Sequence, residues 1–173
     1  MPDRRRFVIR RAFVAPLGLL LLLLGALLVV SIQHGQPFAK VAFLLVFAVP
    51  VAVLFVASAL RRLEIDPLGI TAVRPAGRKR IDFDRATSLE TVRVRSRVFL
   101  TLNAGDDEFL IISNGYAEFP ELVRNLVAAL PANVVTEETR QLAAAPPARY
   151  ADIAMVWFAV VAVAYVLAAQ FHG

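Results

Sequence analysis

The chain has 173 residues, 58% of them hydrophobic and 19% charged, with a net charge of +5 and no cysteine. Without cysteine, disulfides, thiolate metal centres, iron–sulfur clusters and thiol nucleophiles are excluded. The basic excess does not point to nucleic acid, because residues 1–11 hold five Arg against one Asp while residues 61–149 are nearly balanced, with 13 basic and 12 acidic side chains.

The chain opens on that basic segment, residues 1–11. Arg4, Arg5, Arg6, Arg10 and Arg11 lie beside an apolar stretch, where arginines set orientation and meet anionic headgroups, so they are read as membrane-interface anchors. Ala12 to Ile32 follows, 21 residues without a charge. As a helix it reaches roughly 31 Å, enough to cross a hydrocarbon core of ~30 Å. Cleavage as a signal peptide is the competing reading. The apolar region is longer than the usual ~7–15 residues, and no small-x-small site follows it. Gly18 and Gly25 share one face of this helix, which suits helix–helix packing.

Residues 33–40 form a loop with Lys40 as its single charge, and Val41 to Leu60 gives a second apolar run of 20 residues, with Pro50 at its middle. Arg61 and Arg62 then act as the next interface anchors. By the positive-inside rule the 1–11 segment and everything from Arg61 to Tyr150 are cytoplasmic, and the 33–40 loop lies outside.

From Arg61 onward short runs alternate with turn signals, the pattern of an all-β module. Strands are expected at Leu63–Asp66, Ile70–Val73, Lys79–Phe83, Leu89–Arg95, Val98–Leu102 and Glu108–Ser113, with a loop at Ala104–Asp107. After Asn114-Gly115 the period becomes 3.6. Phe119, Leu122, Val123, Leu126, Val127 and Leu130 line one helix face, Pro120 sits in the first turn and Pro131 ends it. This stripe is expected to plug the open end of the sheet.

The Asp66-to-Ile70 turn, the short Arg78-to-Phe83 strand before Asp84-Arg85-Ala86-Thr87-Ser88, and the closing amphipathic helix resemble the bacterial pleckstrin-homology-like (PH-like) domain over residues 61–131. Members of that family often carry the domain directly after a pair of transmembrane helices. The resemblance implies a partly open barrel, usually of seven strands, where six are counted here. It also leads one to look for a Trp after the third strand, where this chain has Phe83-Asp84.

Residues 132–150, with Pro146-Pro147, read as a linker. Residues 151–171 read as a third transmembrane helix, with 17 strictly apolar residues from Ile153 to Ala169. Tyr150, Trp157, Tyr165 and Phe171 suit an aromatic belt, and the helix carries His172 outward.

The chemistry-bearing candidates are few. Arg93, Arg95 and Arg97 alternate, so on one continuous strand they would share a face, with Val92 and Val94 towards the core. Ser96 at an otherwise apolar position suggests a turn. Arg78, Lys79 and Arg80 form a second basic cluster. Together these six are the candidate surface for anionic lipid or a partner, weighed against a solvated face balanced by Asp82, Asp84 and Glu90. His34 and His172 lack a third ligand at metal-binding spacing. Asp106, Asp107 and Glu108 have too few well-spaced oxygens for calcium. No charge lies inside the apolar runs, which argues against a transporter acting alone, and no catalytic motif is present.

The resulting expectation is a multi-pass protein of the plasma (inner) membrane, without enzymatic activity or cofactor. Three transmembrane helices would carry a cytoplasmic all-β PH-like barrel capped by one C-terminal amphipathic helix. The barrel would dock a protein partner or the lipid bilayer surface. The alternative is an accessory or assembly subunit of a larger membrane complex that uses its helices as the contact surface.

Overall fold

The computed structural model describes residues 5–95, 97–105, 107–144 and 151–172, the last two and Ala151 by backbone alone. Arg4, Ser96, Asp106, Pro146-Pro147 and Tyr150, singled out above, lie outside the described residues, as do the side chains of Phe171 and His172. The chain divides into two compact units, one helical and one rich in β-structure.

The helical unit contains α1 (Arg11–Gln33), α2 (Phe38–Leu60) and α5 (Ala151–His172). All three are long and apolar enough to cross a membrane. Pro37 precedes α2 and supplies the carbonyl that accepts from the Lys40 and Val41 N–H groups, so this helix starts earlier than the apolar run. The α2 helix continues through Pro50. Within α1 the buried positions Leu17, Leu20, Leu24, Leu27 and Ser31 recur at alternating spacings of three and four, the seam of closely packed helices. Leu20 and Leu24 meet Val160 and Val163 of α5 and Ala48 and Val51 of α2. Gly18 lets the ring of Phe55 come close, since an added Cβ would stand 3.0 Å from it.

The other unit holds two antiparallel sheets. The first has four strands in the order β1 (Arg5–Val8), β2 (Arg62–Asp66), β3 (Gly69–Arg74) and β4 (Gly77–Asp82). The second has three, β5 (Ala86–Val94), β6 (Arg97–Ala104) and β7 (Glu108–Ser113). Two-residue loops join β2 to β3 and β3 to β4, with Asp66 opposite Gly69 and Arg74 opposite Gly77. Asp66 closes the first by accepting from the Leu68 N–H at 3.0 Å. Gly69 is required there for space, because a Cβ would lie 2.5 Å from the Ile81 carbonyl oxygen. Helix α3 (Phe119–Ala129) places Phe119, Leu122, Val123 and Leu126 in the same core as both sheets. Among the described residues the two sheets are separate, and a closed barrel is not formed.

Two segments differ from the sequence expectation. Arg5–Val8, read as part of a basic interface segment, is a strand paired with β2 from Arg5 opposite Ile65 to Val8 opposite Arg62. It brings the count to seven and buries Phe7 in the core. One buried aromatic among exposed arginines is a weak local pattern, and its pairing partner lies beyond two long helices. The stretch expected as a linker contains a strap and a helix, α4 (Glu137–Ala144). The Leu89 N–H donates to the Val134 carbonyl at 2.7 Å and the Thr136 N–H donates to the Leu89 carbonyl at 3.2 Å. Thr139 and Leu142 of α4 are fully buried, and the Thr91 and Thr139 hydroxyls stand 2.8 Å apart. The strap thus covers part of the β5 edge, which would otherwise leave backbone groups without partners.

Candidate functional site

The basic residues singled out in the sequence separate into groups with different surroundings. On β5, Leu89 and Thr91 point inward, which sets the parity of the strand. Val92 and Val94 therefore face outward, 48% and 53% exposed, opposite to the expectation from the Val-Arg-Val-Arg alternation. Arg93 has the inward parity yet is exposed, because β5 outruns the core beyond Thr91. Arg97 opens β6 opposite Val94, and Arg95 lies in the turn between them with φ of 56°. The three arginines thus do not share one face. They surround the tip of a hairpin whose outer side carries two valines.

Arg78, Lys79 and Arg80 sit on β4 and make different contacts. Arg80 is held by two carboxylates, with Nη1 at 2.6 Å from Asp66 Oδ2 and Nε at 2.7 Å from Asp82 Oδ1. The Arg80 hydrogen bond outweighs partial burial and, with the Leu68 N–H, brings the Asp66 carboxyl down from its ordinary 3.8 to about 2. The same carboxylates push the Arg80 guanidinium still further from deprotonation. The Lys79 ammonium lies 5.1 Å from the ring centre of Phe109 on β7, a cation–π contact. Arg78, opposite Val73, is exposed. Phe109 pairs with Asn103, six residues along β6 from Arg97. At ~3.3 Å per residue that is about 20 Å, so the two basic clusters do not converge.

The interface-anchor arginines also take part in the β-rich unit. Arg5 forms an ion pair with Glu121 of α3, and Arg10 Nε donates to the Tyr116 carbonyl at 3.3 Å. Arg62 pairs with Glu64 at 3.1 Å. Arg6, Arg11 and Arg61 are exposed. Tyr116 is buried, which raises its hydroxyl above the ordinary range.

The outer face of the three-stranded sheet was not anticipated. Val92 pairs with Phe99, Phe99 with Ser113, and Thr101 with Ile111. Together with Val94, these partners place Val92, half-buried Phe99, and exposed Ile111 and Phe109 on one side of the sheet. A signal for this did exist. The run Phe109-Leu110-Ile111-Ile112 is apolar at both parities, as in a strand that presents apolar side chains on two faces.

His34 is exposed in the connection between α1 and α2. Among the described residues no group of three or more His, Asp or Glu side chains is placed to hold a metal ion. Asp107 lies in the β6–β7 loop, and Glu108, which opens β7, pairs with Arg85 at 3.3 Å. Comparison with protein-family models, with curated proteins and with solved structures yields no match.

Proposed function

We propose that this chain is a non-enzymatic integral membrane protein whose β-rich unit is a PH-like docking module on the cytoplasmic side. The observation that carries the reading is the outer face of the three-stranded sheet. Val92, Val94, Phe109 and Ile111 remain about half exposed there, although the chain supplies β1, α3, α4 and the strap to cover other surfaces of the unit. A contiguous exposed apolar patch in a module of this size is characteristic of an interaction surface.

The membrane half of the proposal is supported by three helices of spanning length. The pairing of β1 with β2 also fits it, because strands in one sheet must lie on one side of a bilayer and α1 and α2 together make two crossings. Two small antiparallel sheets with α3 packed into their core support the PH-like part of the reading, with six strands inside residues 61–131 and β1 added from outside them. The arginines at 5, 6, 10, 11, 61 and 62 favour the cytoplasm for that side.

The accessory-subunit reading draws on α2. This helix has no buried residue, and its Phe43 and Phe47 rings lie 4.8 Å apart on an exposed face. Because the chain lacks cysteine, single substitutions can carry a thiol-linked benzophenone at one site only. In native membranes, Ile111→Cys should give a discrete protein adduct and Phe43→Cys only lipid adducts. The reverse outcome would favour assembly through the helices. A protein adduct at neither position would remove the docking reading.

A further inference from the structure

The turn between β5 and β6 uses arginine where the backbone favours another residue. Arg95 stands in the left-handed region, at φ of 56°. Two-residue hairpin turns prefer Gly, Asn or Asp at such positions, and a strained residue kept at a loop tip directs attention to what its side chain does. No acidic residue occurs between Glu90, in the middle of β5, and Asp106, so three arginines cluster at the end of the hairpin with no carboxylate in that stretch of sequence. Beside the arginines, Val92 and Val94 are exposed apolar side chains at the end of a strand that has outrun its core.

We infer that the β5–β6 tip is a lipid-contacting finger, an inference that rests on the membrane reading above. Arg93, Arg95 and Arg97 take phosphates of anionic phospholipids, and Val92 and Val94 enter the boundary between headgroups and acyl chains. Guanidinium groups bind phosphate through paired N–H donors. Apolar side chains flanked by cationic ones are the composition that lies in a membrane interface. The lipid is that of the bilayer holding the helices. Ile9 and Arg10 alone separate β1 from α1, and Arg61 alone separates α2 from β2. Tethers this short make the effective concentration of that bilayer's headgroups high.

The test uses the full chain with Val94→Cys as its sole thiol, carrying a nitroxide, in nanodiscs of phosphatidylcholine with or without phosphatidylglycerol. Power saturation with oxygen and with a nickel chelate reads whether the label lies in lipid or in water. Immersion is expected in anionic discs, and water exposure in neutral discs or in anionic discs at about 1 M salt. Each single Arg→Gln change at 93, 95 or 97 should lower the ratio of immersed to aqueous label roughly fivefold, and all three together about a hundredfold. A label that stays aqueous in anionic discs overturns the inference. So does immersion indifferent to lipid charge, and so does a short label-to-label distance in both lipids, which would assign the tip to a second copy. An aqueous label at 94 beside a protein adduct at 111 would remove the finger alone and leave the docking module standing.

Discussion

The β-rich unit and the helical unit are both strongly apolar, yet they bury that apolarity very differently. In the first, Ile70, Leu89, Leu100, Leu102, Leu110 and Leu122 have no exposure at all, and two sheets and two helices contribute to a single core. In the second, α2 has no buried residue, and Val160 is the only described α5 residue within its buried cluster. Water forces the first arrangement, because each exposed apolar side chain costs free energy. Lipid, the surroundings proposed for the helical unit, removes that force. Helices in a bilayer need only satisfy their own backbone, and they associate through close packing at a narrow seam such as the one along α1.

Substitutions in each unit test this contrast. The largest effect is expected at β1. Phe7→Ala should destabilise the β-rich unit by about 3–5 kcal/mol, as for other large aromatics removed from a core. Hydrogen exchange over β2 and β3 should accelerate while α1, α2 and α5 remain protected. Unchanged exchange would show that β1 is dispensable to the sheet it borders. Next comes α4, the helix that follows the strap. Leu142→Ala in α4 should cost about 2–5 kcal/mol, whereas Val53→Ala on the exposed face of α2 should cost less than about 0.5 kcal/mol. Equal effects, read as shifts in thermal unfolding in detergent, would abolish the distinction between the units.

The smallest effect concerns acid. Asp66 titrates near 2 in the folded chain, against 3.8 as its ordinary value. A carboxylate held lower when folded contributes stability above the unfolded value, and loses it as pH falls from about 4 towards about 2. The pair is solvent-accessible, so the contribution should stay under about 1 kcal/mol. Asp66→Asn should therefore reduce the difference in unfolding midpoint between pH 5 and pH 2.5, a window set by the shift just described. A variant as acid-sensitive as the parent would show that Arg80 does not use this carboxylate.

Much of the β-rich unit was legible from local patterns. The six strands from β2 to β7 and the α3 stripe follow period and turn chemistry, and Pro67, Gly69 and Gly77 mark their turns. The candidate surface was legible only as composition. Arg93, Arg95 and Arg97 are conspicuous in the chain, but the direction each takes depends on where the core ends, and Thr91 is its last inward residue on β5. Strict alternation beyond that point carries no information about inside and outside, because neither face has anything to pack against. Lys79 and Arg80 look alike in sequence, and their different roles depend on partners that other strands supply.

The three apolar helices, the β character of the intervening block and the 3.6-residue period of α3 follow from the chain alone, since these depend on side-chain type and spacing along one segment. The membership of Arg5–Val8 in a sheet interrupted by two helices, the docking of Val134–Thr136 on β5, and the outward turn of Val92 and Val94 arise only in the folded chain. The first two are settled by contacts between residues far apart in the chain, and the third by where the core ends along β5. A strand becomes a strand there because another segment offers it hydrogen bonds and an apolar face, and no local pattern can specify such an offer.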